Sequence, residues 1–473
     1  MRLSHTGPVG AASFDEPNLV SASGLVPVMR LAADAGLDAL AGDLLSVPTD
    51  KGANAGGKVS ALVAGMVAGA DSIDDLALLR HGAMGRVFDR LYAPSTLGSF
   101  LRAFTFGHVR QLDAVATRFL GGLAARAPVL PGLAGTVLVD VDDSIVQVHG
   151  YAKQGAGFGY SGVRGLNMLL ATASTAQAAP VVVAQRLRKG SCASPRGAKR
   201  LVADALKTVR SLRAATATGQ DTATGQVLLR ADSAFYGAPT VTAAVRAGAR
   251  VSVTVRMDPK VRAAIATIPD QAWTAIEYTD AVYDEQARRW ISRAEVAEVP
   301  FTAFASRRRA EQVAGRLVVR RIPDLNAPAN PDQASLFELW RFHAFFTTSD
   351  PTNLDTVAAD KTHRAHAIIE QVNADLKNAA LAHLPSGKFT ANSAWLVCAV
   401  MAFNLTRAAA SLAGGALTKA TTSTIRRTLI AVPARVASSA RRLTLHLPGN
   451  WPWQHAWTQL FSQTCGPPRT TTS

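Results

Sequence analysis

The stretch "TVLVDVDDSIVQVHG", Thr136 to Gly150, constrains this chain more than any other. Its apolar, β-branched start reads as a buried strand, and the strand runs into Asp140, Asp142 and Asp143. Side chains alternate across a strand, so Asp140 and Asp142 share one face while Val139, Val141 and Asp143 share the other. Two like charges on one face repel unless a proton or a cation relieves them. A divalent metal is the economical answer, because hard Mg²⁺ takes carboxylate oxygens and keeps positions open for phosphate and water. The plainer alternative is a solvated strand end or a helix N-cap.

The same texture recurs downstream. Apolar runs at Leu166 to Thr172 and Pro180 to Leu187 precede a helix from Ser194, with Pro195 in its first turn and Leu201, Val202, Ala205, Leu206 and Val209 on one face. Two further strands, "QVLLRAD" (Gln226 to Asp232) and "RVSVTVRM" (Arg250 to Met257), flank another helix. Three strands, a helix, then strand, helix and strand predict a mixed α/β core with early antiparallel pairing. A β-rich insertion follows, carrying "GRLVVRRI" and a Pro/Asn/Ala loop. The strand "ELWRFHAFFTTS" then returns to the core, and a long helix begins near Asp360.

The first 125 or so residues read as helical: one helix to about Arg80, one from Met84 to Leu91, and one capped by Ser95. They suit a helix-turn-helix unit presenting Thr96, Ser99 and Arg102 to DNA, or an ordinary helical bundle. The expected organisation is a helical domain over 1–125 that suits DNA binding, core over 126–257, a β-rich insertion over 258–338, the rest of the core over 339–410, and a basic region over 411–473.

The formal charge of +16 is unevenly spread. Asp375 is the last acidic residue, and beyond it Lys377, Lys388, Arg407, Lys419, Arg426, Arg427, Arg435, Arg441, Arg442 and Arg469 stand unopposed. A merely soluble surface mixes signs, so the C-terminal region is expected to contact a phosphate backbone or to dimerise. Trp451, Trp453 and Trp457 read as a packing or dimer element there. Cys192, Cys398 and Cys465 are too scattered for a zinc site or a disulfide framework. The apolar stretch Ala394 to Leu405 falls short of the roughly 20 residues a membrane span needs, so it is expected to be a core helix. With no apolar leader at the N-terminus, a cytoplasmic protein without a membrane partner is expected.

Locally, "VLVDVDDS" resembles the first motif of haloacid-dehalogenase-type phosphatases, which would make Asp140 the nucleophile and Asp142 an acid/base. The downstream acidic pair that such enzymes need after a later strand is missing. Other acids offer more. Asp232 ends an apolar strand, where α/β folds place sites. On the helix "HRAHAIIEQVNADLKN", at about 100° per residue, His363, His366 and Lys377 fall within about 40° of Glu370. A stripe of basic groups around one acid suits a phosphodiester track holding one metal ligand.

The ordered set Asp142, Asp232 and Glu370, with Lys377 six residues after the Glu, resembles the DDE transposases of bacterial insertion sequences. The resembling subgroup carries a Y-x2-R-x3-E-x6-K signature and a β-rich insertion before the Glu. Here its Tyr and Arg positions fall on His363 and His366, with Arg364 beside them. The resemblance implies a ribonuclease-H-like core and cut-and-paste transposition by cleavage and strand transfer at terminal inverted repeats. It also implies two Mg²⁺ ions, replaceable by Mn²⁺, on Asp142, Asp232 and Glu370, with Asp140 as an alternate ligand or a supporting residue. The implied partners are double-stranded DNA, as element ends and target, and a second copy of the chain. Lys377, Arg364, His366, His363, Arg426, Arg427, Arg441 and Arg442 become candidate DNA contacts, and Trp273 and Trp290 candidates for stacking on a flipped base. A catalytically inactive, transposase-derived DNA-binding protein is the non-enzymatic alternative.

Overall fold

The computed structural model describes residues 11–216, 225–284, 289–323, 340–439 and 442–466. Its centre is a mixed sheet. Strands β1 (Val137–Gln147), β2 (Arg164–Thr175) and β3 (Ala178–Lys189) form an antiparallel meander. On the other side of β1, β4 (Val227–Ala231) pairs in parallel, and β5 (Arg250–Thr254) pairs in parallel with β4. Helices Ala198–Thr216 and Ala238–Arg246 make the β3-to-β4 and β4-to-β5 connections. The spatial order β3-β2-β1-β4-β5 is consistent with a ribonuclease-H-like domain.

The insertion strands extend this same sheet. Strand β9 (Trp340–Thr347) lies antiparallel to β5, and β8 (Val313–Pro323), β7 (Arg289–Ala303) and β6 (Thr274–Asp284) follow outward, each antiparallel to the last. The insertion also opens with a helix, Pro259–Ala266, whose N-cap Asp258 accepts from the Val261 N–H at 3.0 Å.

Helix Phe389–Ala413 is the hub of the molecule. It is long and apolar enough to cross a membrane, yet nearly all of it is buried inside the fold. Its polar groups are satisfied internally, as burial demands. Asn404 exchanges two hydrogen bonds with the Val182 backbone (2.9 and 2.8 Å), and Trp395 Nε1 donates to Ala380 O at 2.7 Å. The N-terminal helices Ala55–Ala68, Pro94–Arg102 and Phe106–Ala124 pack on this hub and share one hydrophobic core with the sheet. The stretch before Arg80 forms a 3-10 helix, Asp74–Leu79, the helix expected from Met84 to Leu91 is a single turn, Met84–Val87, and the following α-helix starts at Pro94, so Ser95 lies inside it. Thr96 and Arg102 are exposed on that helix.

The C-terminal region folds back on the rest. Strands Ala434–Ser439 and Arg442–His446 form a small sheet with Leu19–Val20. Trp457 is buried and stacks on Phe461 (5.3 Å), while Trp451 Nε1 donates to Thr428 O at 3.1 Å. These tryptophans pack within their own chain.

Candidate active site

Parallel pairing of β1 with β4 places Val141 opposite Ala231, so Asp142 and Asp232 are the next residues on neighbouring strands. Asp142 is largely buried. Its Oδ1 accepts from the Asp143 N–H and its Oδ2 from Asn373 Nδ2, both at 2.7 Å. Burial pushes its carboxyl up to about 6, and the charges of Asp232 and Asp143 act the same way against the Asp143 N–H and His366. Asp232 reaches the surface but is shielded on its inner side. That partial loss of water raises its carboxyl too, opposed by the Ala234 N–H, which it caps at 3.0 Å.

Asp140 shares a face with Asp142 and has a different fate. It is fully buried, opposite Arg230 on β4. The Arg230 guanidinium grips both its oxygens at 2.7 Å, and His366 Nδ1 sits 3.0 Å from Oδ1. A bidentate guanidinium–carboxylate pair is the strong, directional form of an ion pair. Asp140 is therefore closed to substrate, which removes the phosphatase nucleophile. Asp143, on the opposite face, is likewise structural: Arg188 Nη2 donates to it at 2.9 Å and Asn167 donates to the same oxygen.

The acidic helix is interrupted where a continuous one was expected. Helix Thr356–Arg364 gives way to a 3-10 turn, Ala365–Ala367, before helix Ile368–Lys377. The break rotates His363 away from the stripe. Its ring stacks on Phe345 (4.1 Å), and its nitrogens meet Ser252 Oγ and Thr254 Oγ1, each at 2.9 Å. Burial drives it down to about 3, so it sits neutral inside the fold.

Within the break His366 meets Asp140, and past it Asn373 meets Asp142. Glu370 stands between these two contacts, in the helix's first turn and exposed. Lys377 is half-buried; burial lowers its ammonium while Asp142 holds it up, which places it on the same wall. The structure thus brings Asp142, Asp232, His366 and Lys377 together. Among the described residues, no three His, Cys, Asp or Glu side chains converge closely enough to hold a metal ion.

The donor chemistry of the acid pair nonetheless suits a hard cation. Asp142 and Asp232 are oxygen donors, partly stripped of water and mutually repelling, and Asp142 is raised for that reason.

The other candidates lie elsewhere. Arg364 pairs with Asp360 at 2.8 Å. Arg426 is half-buried beside Asp375 and Asp71, Arg427 is exposed with Trp453 nearby (5.7 Å), and Arg442 is exposed. The Arg407 guanidinium is turned inward onto the carbonyls of Thr418 and Ala420. Trp273 lies beneath the Arg321 guanidinium (4.3 Å), which also covers Trp340 (4.4 Å). Arg441 and the side chain of Trp290 lie outside the described residues.

Sequence reading missed Arg230, Arg188, Asn373 and Tyr160, whose hydroxyl donates to Asp143 O at 3.3 Å. Arg230 was detectable: a cation inside the apolar run "VLLRA" has to find a buried anion.

The chain thus joins a mixed sheet, with acids on two adjacent central strands, to a helix that packs against β1 and carries a further acid. The family model for "Transposase DDE domain group 1" matches residues 8–464. The chain belongs to that transposase family. No curated protein matches it.

Proposed function

We propose that this protein cuts the ends of an insertion sequence and joins them to target DNA, with Asp142, Asp232 and Glu370 as its catalytic acids. The observation that carries this reading is the pairing of Asp142 with Asp232, two carboxylates held side by side at a cost in hydration, with no salt bridge to Asp142 among the described residues. Glu370 is exposed and lies one helical turn from Asn373, whose side chain contacts Asp142, which supports it as the third acid. These acids would hold divalent ions, two Mg²⁺ or Mn²⁺, which when bound supply charge neutralisation of the scissile phosphate and a nucleophilic oxygen at neutral pH.

The chain's own residues do the rest. Lys377 contacts a non-bridging phosphate oxygen beside Asp142. Asp140 and Arg230 fix β1 to β4 and orient His366 toward the acids. Hydrolysis at the element's end frees a 3′-hydroxyl. That hydroxyl then attacks a target phosphate and displaces another 3′-oxygen, so each step exchanges one P–O bond for another. Exposed Arg427 and Arg442 hold flanking duplex. Two copies, each bound to one end, bring the ends together.

The test is cleavage of a duplex carrying the element's terminal inverted repeat, with Mg²⁺, by wild type and by Asp142→Asn, Asp232→Asn and Glu370→Gln. Wild type cuts, while the three variants bind the end and leave it intact. Binding without cutting by wild type establishes the inactive DNA-binding reading instead, and cutting by all three variants discards this triad.

A further inference from the structure

The loop between β1 and β2 is rich in exposed aromatic rings. Tyr151 is 102%, Phe158 67% and Tyr160 73% exposed, and Val163 beside them is 36% exposed. Large apolar side chains normally leave the surface, and a cluster that stays there marks a contact surface.

This loop is not loose. Arg164 ties it shut by donating to Gly150 O (2.7 Å) and Tyr151 O (3.2 Å), and Phe158 pairs with Arg164 across a short antiparallel bridge. Gln154 N donates to Gly387 O and Gly190 N to Gly155 O, each at 2.9 Å, while Lys153 Nζ donates to Leu384 O. Gly190 permits the close approach, since a Cβ there would lie 2.0 Å from Gly165 O. The rings are therefore displayed on a braced platform.

The platform adjoins the acid pair. The loop curls back so that Tyr160 Oη donates to Asp143 O at 3.3 Å, one residue from Asp142. Besides burial, the charges of Asp143, Asp142 and Asp232 all raise the Tyr160 phenol, which places its hydroxyl beside all three carboxylates. Its ring meanwhile faces solvent.

We propose that Tyr160, Phe158 and Tyr151 form a stacking platform for unpaired DNA bases next to the scissile phosphate. The inference rests on the transposase reading of the site. Rings braced beside phosphodiester chemistry suit base faces: every base offers one, and each stacked base strengthens binding without sequence preference. In duplex DNA those faces are stacked on each other, so a platform here favours ends whose terminal pairs have opened.

The test uses the full chain without divalent ions. Affinity is measured by fluorescence anisotropy for an element-end duplex with three unpaired nucleotides at the cleavage position, and for its fully paired counterpart. Wild type is expected to prefer the unpaired form about 10-fold, and the Phe158→Ala/Tyr160→Ala double variant to lose that preference while binding the paired form as before. Tyr160→Phe keeps the ring and loses only the hydroxyl, so it keeps the preference; this separates stacking from loop folding. Equal preference in wild type and double variant overturns the inference. So does a double variant that changes from dimer to monomer with its preference intact, because the rings would then serve a second copy. Preference without any Mg²⁺-dependent cutting by wild type leaves the platform standing and overturns the transposase reading.

Discussion

Asp140 and Asp142 sit two residues apart on one strand and one face, and they live in opposite electrostatic worlds. Asp140 is sealed, with both oxygens on Arg230 and His366 beside it. Asp142 is also mostly buried, yet its nearest donors are the Asp143 N–H and Asn373, neither of them a cation, and Asp232 stands next to it. Paired burial builds structure; unpaired burial stores demand for a cation. The same residue type therefore serves as a rivet at one position and, in the proposed function, as a reactive group two residues on.

The sharpest break of this comparison is Asp142→Asn. Cleavage of element ends is expected to fall at least about 1000-fold, a loss of about 4 kcal/mol of transition-state stabilisation. The metal-free protein should become more stable at pH 7, by roughly 1–3 kcal/mol, since a desolvated charge raised to about 6 is removed. Activity and denaturation midpoint moving in opposite directions is the signature to measure.

Arg230→Met applies the reverse test to Asp140. Leaving that carboxylate buried without its partner is expected to destabilise the fold by about 3–5 kcal/mol in urea unfolding. The double variant Asp140→Leu/Arg230→Met should recover most of it, because two apolar groups replace two charges. If the single variant unfolds no more readily than wild type, Asp140 is not a rivet.

Titration separates the two kinds of burial as well. The Asp142 carboxyl is raised, so its contribution to stability is present below about pH 4 and lost as pH climbs through about 6. His363 is lowered to about 3, so its contribution is present above its ordinary value near 6.5 and lost as pH falls toward 3. Unfolding curves of the metal-free protein from pH 4 to 7 should show both trends. Asp142→Asn is expected to abolish the first and leave the second.

The smallest effect belongs to Asn373→Ala. Asp142 loses one neutral donor, which is expected to cost about 1 kcal/mol in stability and roughly 3- to 10-fold in cleavage rate. No change in either quantity would mean that the 2.7 Å contact does not orient the acid.

Much of the sheet was legible because its strands are apolar, β-branched and punctuated. Asp232 was legible as an acid at a strand's end and Glu370 as an acid on a helix, whereas Asp142, expected at the end of its strand, lies in the middle of β1, which continues to Gln147. The role of Asp140 was not legible, since local sequence cannot tell which of two acids meets an arginine 90 residues later. His363 was misdirected by assuming one unbroken helix; the 3-10 turn at Ala365–Ala367 carries no glycine or proline to announce it. Summing charge also misled at Arg407, which is counted as surface basicity and spends its guanidinium on buried carbonyls.

The central claim is that Asp142, and not Asp140, is the working acid of β1. Binding of Mn²⁺ by titration calorimetry to wild type, Asp142→Asn and Asp140→Asn tests it most directly. The account predicts that Asp142→Asn loses Mn²⁺ binding while folded Asp140→Asn retains it. Loss in Asp140→Asn with wild-type binding by Asp142→Asn would contradict it.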